Sequence, residues 1–594
     1  MIFYDFEVFK EDWLVVFIDT DQRKTYTIIN DREALEAFYK AHKEEIHVGY
    51  NCRNYDQWIY KGILAGFNPK KINDFIILKG RKGWEFSNSL RRFNFINYDV
   101  FQNIDRGLKF FEGSLGNDIR ESSVPFDIDR KLTGAEIAET VRYCTHDVEQ
   151  TIEVFLERKA DFNAQMGLLK MFDLPLSDLG KTKPQLSAKI LGASKRTYSD
   201  EFDIDIPDTL HVEKYCGIVD WYRDPANRKY TVDPNDKKSQ KNVLKTSVAG
   251  VTTVFGWGGV HGARERYSGE GYFINMDVAS LYPSLMIEYD LNSRSCNPEK
   301  FADIYHSRLK YKAEKNPLQA PLKIVLNSTY GAMKDKYNPL CDPRQANRVC
   351  VHGQLLLLDL MEHLENVGAE IIQSNTDGVL VRMPDDWGLL YGDQREDAFF
   401  YVIDDVAHEW EKRTRLKLEF DEFVRVYQKD VNNYVMVAPD GSYKSKGGYV
   451  KKLGALDYDL AVVNEAVTAY LLYGKPVEAT VSACNDLRAF QMVARCSGKY
   501  LGFLHGSERL NERTVRVFAS KDSRDKGLVK IHAATGKPAK VASTPERCFI
   551  VNEDVHDMGV PSRLDRAWYV DLANKRLIDF GVRTNGAIQG LSGN

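Results

Sequence analysis

The chain has 594 residues, 43% of them hydrophobic and 28% charged, with a formal net charge of −4 and neither an internal repeat nor a low-complexity tract. That length implies several domains, and that apolar share supplies sizeable cores. No apolar run approaches a membrane span, the start "MIFYDFEVF" reads as neither a signal nor a transit peptide, and nine cysteines without a CxxC pair give no support to zinc or an iron–sulfur cluster, so the expectation is a cytoplasmic chain that meets no membrane.

In chain order, "MIFYDFEVF" reads as a first strand with Asp5 and Glu7 at i and i+2, so both side chains leave the same face. "IHVGYNCRNYD" reads as a strand leading into a helix that carries Asp56. Thr133 and Glu136 form a capping box ahead of an amphipathic helix from 135 to about 160, which carries Tyr143 and Asp147 one turn apart. Each pattern alone is loose, since an Asp-x-Glu tripeptide recurs by chance and a Tyr and an Asp one turn apart are common on a solvated helix face.

Three later segments are more restrictive: "NMDVASLYPS" at 275–284, "KIVLNSTYG" at 323–331 and "IIQSNTDGVLV" at 371–381. The run "YFINMDV" is a buried strand that stops at Asp277, and "AEIIQ" and "VLVRM" are strands joined through "SNTDG", where Asp377 and Gly378 have turn chemistry. Two carboxylates thus meet at one edge of a sheet. Between them, Lys323, Asn327, Tyr330 and Lys334 share one polar helix face, and Arg308 and Lys312 stand at i and i+4 on the preceding helix.

This arrangement suits phosphoryl transfer. A hydroxyl that attacks a triphosphate needs its charge managed at both ends, and two divalent ions about 3.5 to 4 Å apart do so. Mg²⁺ is held by a few carboxylates plus the substrate's own phosphates. Asp277 and Asp377 are the expected ligands, with the carbonyl of Val278 as an extra oxygen. Lys323, Arg308 and Lys312 face phosphates, Asn327 and Tyr330 face the nucleotide, and Tyr282, just past the catalytic strand, is placed to bar a 2′-hydroxyl by clash.

The segments resemble motifs A, B and C of the family-B DNA polymerases, "DxxSLYPS", "KxxxNSxYG" and a variant of "DTDS" in which Asn375 replaces the first Asp and Gly378 the Ser. The resemblance extends upstream. Asp5, Glu7, Asp56 and Asp147, with Tyr143 between the last two in sequence, are similar to the proofreading 3′→5′ exonuclease of that family, which implies that the four carboxylates hold two metals and that Tyr143 orients the attacking water. "FGWGGVHGA" resembles the family's glycine-rich connector through Gly258 and Gly259, which implies template contact. "KDVNNYVMV" and "SKGGYVKK" resemble its primer-contacting stretch through Lys429, Tyr434 and Lys446.

The resemblance implies an α/β and α+β multidomain chain, an RNase H-like exonuclease followed by a right-hand polymerase. The expected divisions are an exonuclease at 1–165, a connector and first part of the palm at 166–295, short fingers at 296–340, a second part of the palm at 341–455, and a thumb with a basic carboxy-terminal segment at 456–594. From Asp277 to Lys323, and again from Gly331 to Asp377, is 46 residues, which leaves little room for insertions and resembles a compact phage-type replicase acting in the cytoplasm of an infected bacterium. The implied cofactor is Mg²⁺, two ions per site, with Mn²⁺ as a substitute. The implied partners of this monomer are primer–template DNA, deoxynucleotides and a processivity factor or other replication proteins.

Charge is unevenly spread. Residues 495 to 547 hold 12 Lys or Arg against 5 Asp or Glu, a local +7, and the rest of the chain sums to −11. Arg513, Arg516, Lys521 and Lys526 in this stretch are the expected grip on phosphate backbone. Two other readings of the chain are a dedicated exonuclease with a polymerase-shaped platform, which intact Asp277, Lys323 and Asp377 disfavour, and a non-catalytic scaffold, which the complete carboxylate sets disfavour.

Overall fold

The computed structural model describes residues 1–101, 106–236, 238–383 and 395–582. Its contacts divide the chain into two compact units: Met1–Thr182 with Leu453–Val462 and Val481–Tyr569, and Lys183–Lys452 with Val463–Thr480 and the residues from Val570. Among the described residues no helix is long and apolar enough to cross a membrane.

The first unit begins with β1 (Ile2–Val8), β2 (Trp13–Asp19), β3 (Lys24–Ile29), β4 (His47–Gly49) and β5 (Asn97–Asp99), in the sheet order β3-β2-β1-β4-β5. β1 is antiparallel to β2 and parallel to β4, a mixed sheet. Alternation along β1 sends Ile2, Tyr4, Phe6 and Val8 into one core with Val15, Phe17 and Tyr60, and turns Asp5 and Glu7 to the opposite face. The helix Gly134–Glu157 lies over that face, with the Cys144 thiol donating to the Asp5 carbonyl at 3.4 Å. Its capping box forms as expected: Glu136 N–H donates to Thr133 Oγ1 at 3.3 Å, and Thr133 N–H donates to Glu136 Oε2 at 2.8 Å.

The second unit carries one antiparallel sheet of nine strands: β6 (Val243–Val248), β7 (Val251–Gly256), β8 (His261–Ala263), β9 (Tyr267–Val278), β10 (Glu370–Asn375), β11 (Gly378–Arg382), β12 (Leu418–Asp430), β13 (Asn433–Val437) and β14 (Tyr443–Lys446). Their order is β14-β13-β12-β9-β11-β10-β8-β7-β6. The longer strand β9 therefore sits between β11 and β12, with a hydrogen-bonded neighbour on each side. The helix Pro343–Asn366 packs along β10 and β11 with Leu355, Leu356, Leu357 and Leu358 fully buried. The helices Pro298–Ala313 and Gln319–Met333 pair in the interval between β9 and β10.

The carboxy-terminal part of the first unit is a β module: β15 (Met492–Arg495), β16 (Tyr500–His505), β17 (Glu508–Arg509), β18 (Thr514–Ala519), β19 (Leu528–His532), β20 (Pro538–Lys540) and β21 (Cys548–Ile550). They form two small sheets, β15-β18-β21 and β17-β16-β19-β20. The module docks on the carboxy-terminal end of the helix Leu108–Leu115, where the Gly116 N–H caps the Glu112 and Gly113 carbonyls and their second lone pairs stay open to other donors. The Arg516 guanidinium supplies donors there, reaching Gly113 O at 3.2 Å and Asn117 O at 2.7 Å as well as Glu553 O at 2.7 Å. Gln491 Nε2 and Arg488 add bonds to Ser114 O at 3.1 and 2.8 Å. Close approach requires Gly113, since a β-carbon there would lie 2.8 Å from Val493 Cγ1.

Two expectations are corrected. The stretch 456–594 is not one body, because its contacts divide at 463, 481 and 570 between the two units, and the first unit runs on past 165 to Thr182. Arg516 is not an exposed phosphate contact: it is 0% exposed, and burial pulls its pKa down to about 10. A planar fork of donors beside a helix carboxy terminus satisfies carbonyls that a lysine could not reach together. Arg516→Ala should remove those buried bonds and cost about 3–5 kcal/mol, the range for a broken buried polar network. Calorimetry of the full chain checks this; a loss below about 1 kcal/mol would show that the module is held by other contacts.

Candidate active sites

In the first unit, Asp5, Glu7, Asp56 and Asp147 line one cleft of about 940 Å³. β1 presents the first two. Asp56 opens the helix Asp56–Leu64 and is tied to β1 by Phe6 N–H, which donates to its Oδ1 at 3.2 Å. Asp147 comes from the helix Gly134–Glu157, one turn beyond Tyr143. Burial pushes the carboxyls upward: Asp56 to about 7, Asp147 to about 6, and Asp5 and Glu7 well above the usual range, with the other carboxylates adding to the rise of Asp5 and Glu7.

Lys109 offsets this repulsion. Its ammonium donates to Asp147 Oδ1 and, at 3.0 Å, to Glu112 Oε1, and lies 4.6 Å from the centre of the Tyr143 ring. Four carboxylates gathered in one cleft, with burial raising each and the others adding to the rise of Asp5 and Glu7, fit hard divalent cations. The sequence reading passed over Lys109, because nothing local ties it to Asp147 across 38 residues.

The second site is at the end of β9. Asp277 faces Gly378 of β11 on one side and Glu419 of β12 on the other. Asp377 lies in the two-residue turn between β10 and β11, after Thr376 at φ +53°, and its carbonyl accepts the Val278 N–H at 2.6 Å. A β-carbon at 378 would lie 1.9 Å from Asp277 Oδ1, so a larger residue would make that carboxylate turn away. Burial and the Asp377 carboxylate push Asp277 up to about 6; burial also raises Asp377, with Lys446 opposing.

Beside this pair is a cavity of about 310 Å³ lined by Ser280, Tyr282, Leu326, Asn327, Tyr330 and Asp377, among others. The rings of Tyr282 and Tyr330 lie 4.3 Å apart, and the Tyr330 hydroxyl meets Cys350 Sγ at 2.5 Å. Arg308 donates to Ser280 Oγ at 2.9 Å, and Lys312 donates to Glu419 at 2.8 Å. Lys323 is exposed one turn before Asn327 and does not line the cavity.

Tyr434 and Lys446 face each other across β13 and β14, and both feel the carboxylate pair: Asp277 and Asp377 help raise Tyr434 after burial. Lys429 is elsewhere, near the far end of β12 with its ammonium 4.4 Å from the Tyr449 ring centre. Asn375 pairs with His261 of β8 and hydrogen-bonds its ring. Gly259 packs on Thr376 at the hairpin tip, while Gly258 is exposed. Lys521 and Lys526 are exposed; Arg513 is exposed too, with its guanidinium donating to Ser497 O and Tyr500 O at 3.1 and 2.9 Å.

Two carboxylates that the sequence reading missed are Glu419, opposite Asp277, and Asp421, opposite Asn275. The signal was present: "LEFDEF" places them at i and i+2, the same spacing that drew attention to Asp5 and Glu7.

No protein-family model matches the chain. DNA polymerase 1 of Saccharolobus solfataricus is 21% identical over 302 residues, 42% of this chain and 32% of that protein. DNA polymerase 1 of Sulfurisphaera ohwakuensis is 22% identical over 208 residues, 34% of this chain and 21% of its own length. The chain is distantly similar to these DNA polymerases. DNA polymerase II of Escherichia coli is 30% identical over 89 residues, 15% of this chain and 11% of that one. The matched segments thus span between a tenth and a third of the curated relatives. The structure of the family B DNA polymerase from Pyrobaculum calidifontis aligns with all of this chain and 78% of that chain at a TM-score of 0.40 and 15% identity.

The raised carboxyls carry a stability consequence. A carboxyl whose pKa is higher folded than unfolded binds its proton more tightly in the fold, so its contribution falls as pH rises from the unfolded value through the folded one. In EDTA, the first unit should therefore gain thermal stability between about pH 8 and about pH 6, and Asp56→Asn should flatten that slope. Scanning calorimetry over a pH series checks it; an equal slope in the variant would mean that Asp56 is not the strained group.

Proposed function

We propose that this chain is a DNA-directed DNA polymerase with a 3′→5′ proofreading exonuclease, of the compact phage type, extending a primer 3′-hydroxyl with deoxynucleotides. What supports the polymerase reading most is Asp277 at the end of β9 next to Asp377 in the turn that leads into β11, beside a cavity lined by Tyr282, Asn327 and Tyr330. Asp277 and Asp377, with the Val278 carbonyl, would hold Mg²⁺. When bound, such ions stabilise the attacking and leaving oxygens of an in-line displacement.

The protein's own groups then divide the remaining tasks. Tyr330 and Asn327 seat the nucleotide, and the Tyr282 ring, packed at a tilt against Tyr330, closes the space beneath the sugar. Arg308 and Lys312 stand on the neighbouring helix as cations for the triphosphate, Lys312 by exchanging its exposed pairing with Glu419, which costs little. Lys323 serves the same phosphates once substrate is present. Tyr434 and Lys446 contact the primer strand; Gly258, Gly259, Lys429, Arg513, Lys521 and Lys526 remain proposed DNA contacts. In the other unit, Asp5, Glu7, Asp56 and Asp147 would hold the metals of hydrolysis, with Tyr143 orienting the water.

A primer-extension assay with Mg²⁺, with and without deoxynucleotides, tests the whole reading, since extension, degradation alone and neither are distinct results. Asp377→Ala should abolish extension and leave degradation of single-stranded DNA nearly intact, while the double variant Asp5→Ala, Glu7→Ala should do the reverse. Loss of both activities in either variant, with the fold intact, would mean that the sites are misassigned.

Tyr282→Ala should raise ribonucleotide insertion relative to deoxynucleotide insertion in single-turnover measurements. An unchanged ratio would leave the ring as packing for Tyr330.

A further inference from the structure

The exonuclease cleft is walled in part by the carboxy-terminal β module. Arg495, the last residue of β15, lines it together with the four carboxylates, although 348 residues separate Arg495 from Asp147, the nearest of them in sequence. Its guanidinium lies 3.8 Å from where a β-carbon on Gly107 would stand, so the arginine leans directly on the backbone at the cleft mouth. Arg495 is exposed and, among the described residues, has no hydrogen-bonded or ion-paired partner. Most other arginines of this module are committed: Arg488, Arg513 and Arg516 to carbonyls, Arg524 to Asp522.

Gly107, Leu108 and Arg495 also line a second cavity of about 530 Å³, which continues from the first. Its walls bring together Lys109, Tyr500 and Arg513. The loop that carries Tyr500 is braced by Arg513, which donates to Ser497 O and Tyr500 O, and by Lys530, whose ammonium lies 4.4 Å from the Tyr500 ring centre. The result is a trough with the carboxylate cluster, flanked by Lys10 and Lys70, at one end, and three cations, the Tyr500 ring and a single acid, Glu121, along the rest. Those are the needs of a single strand, whose phosphates seek cations and whose bases seek flat faces. The combined volume exceeds what one mononucleotide-sized ligand requires.

We propose that this trough is the single-strand path to the exonuclease carboxylates, and that Arg495 binds a phosphate of the strand upstream of the nucleotide to be removed. The hydrolytic site is then composite: residues 1–182 supply the carboxylates, and the β module supplies the strand's seat. This rests on the exonuclease reading given above. Arg495 is a substrate-binding residue here, not a carrier of the chemistry.

The test compares wild type, Arg495→Ala, Arg495→Lys and the control Arg524→Ala, all in the full chain. Without deoxynucleotides, Arg495→Ala should raise KM for a single-stranded oligonucleotide about tenfold, the scale of a lost hydrogen bond to a charged group, with kcat little changed. Arg495→Lys should restore part of it, and Arg524→Ala should match wild type. Hydrolysis of thymidine 5′-(p-nitrophenyl phosphate), which has no upstream phosphate, should be unaffected by Arg495→Ala.

An unchanged KM, or an equal loss on the small substrate, overturns the proposal while the exonuclease reading stands. If wild type degrades nothing, that reading fails, and anisotropy with a labelled single strand in EDTA decides the seat on its own. Weaker binding in Arg495→Ala supports the trough, and equal binding overturns it.

Discussion

Carboxylates repel, and both candidate sites depend on holding several of them close in surroundings that favour the neutral form. A loop would yield to that repulsion. This chain instead mounts the central members on strands with a neighbour on each side: Asp5 and Glu7 on β1 between β2 and β4, Asp277 on β9 between β11 and β12. Backbone ladders fix the strands, and the side chains cannot separate without breaking them. The remaining members arrive from an element whose position is itself tied to the strand, Asp56 through the Phe6 amide and Asp377 through the Val278 amide.

Charge in the sequence and charge on the surface part company in the carboxy-terminal segment. Its +7 suggested a uniform grip on phosphate, yet one of its arginines is fully buried. Arg516 is spent on carbonyls at the end of the helix Leu108–Leu115, and Arg488 on a neighbouring one. Residues of identical chemistry a few positions apart thus divide between holding the module on and facing solvent. Composition cannot tell them apart; the position in β18 does, since all six residues of that strand, Arg516 and both flanking valines included, are buried.

How much could be read in advance follows the range of the physics involved. Local patterns were legible: the capping box at Thr133, the strand that ends at Asp277, the hairpin around Asp377 and the shared helix face of Asn327 and Tyr330. The i and i+2 spacing on β1 gave a correct orientation because a strand's alternation needs no tertiary knowledge, and the same rule applied to β12 would have found Glu419 and Asp421. What stayed hidden was set by long-range docking. Lys109 reaches Asp147, and the β module reaches back to the amino-terminal unit, through contacts that no periodicity encodes.

The bond from Arg516 to the Glu112 carbonyl joins residues 404 positions apart. On a ribosome adding about 5 to 20 residues per second, the amino-terminal sheet would wait roughly 20 to 80 s before its docking partner is made. Through that interval the end of the helix Leu108–Leu115 lacks the side-chain donors of the module and leaves Gly113 uncovered by Val493. The long middle of the chain must be synthesised, and can begin to fold, before the first unit closes. Nascent chains of this protein therefore pass through a stage in which an acidic cleft exists without its cationic wall, a stage that chaperones would meet and the mature protein would not.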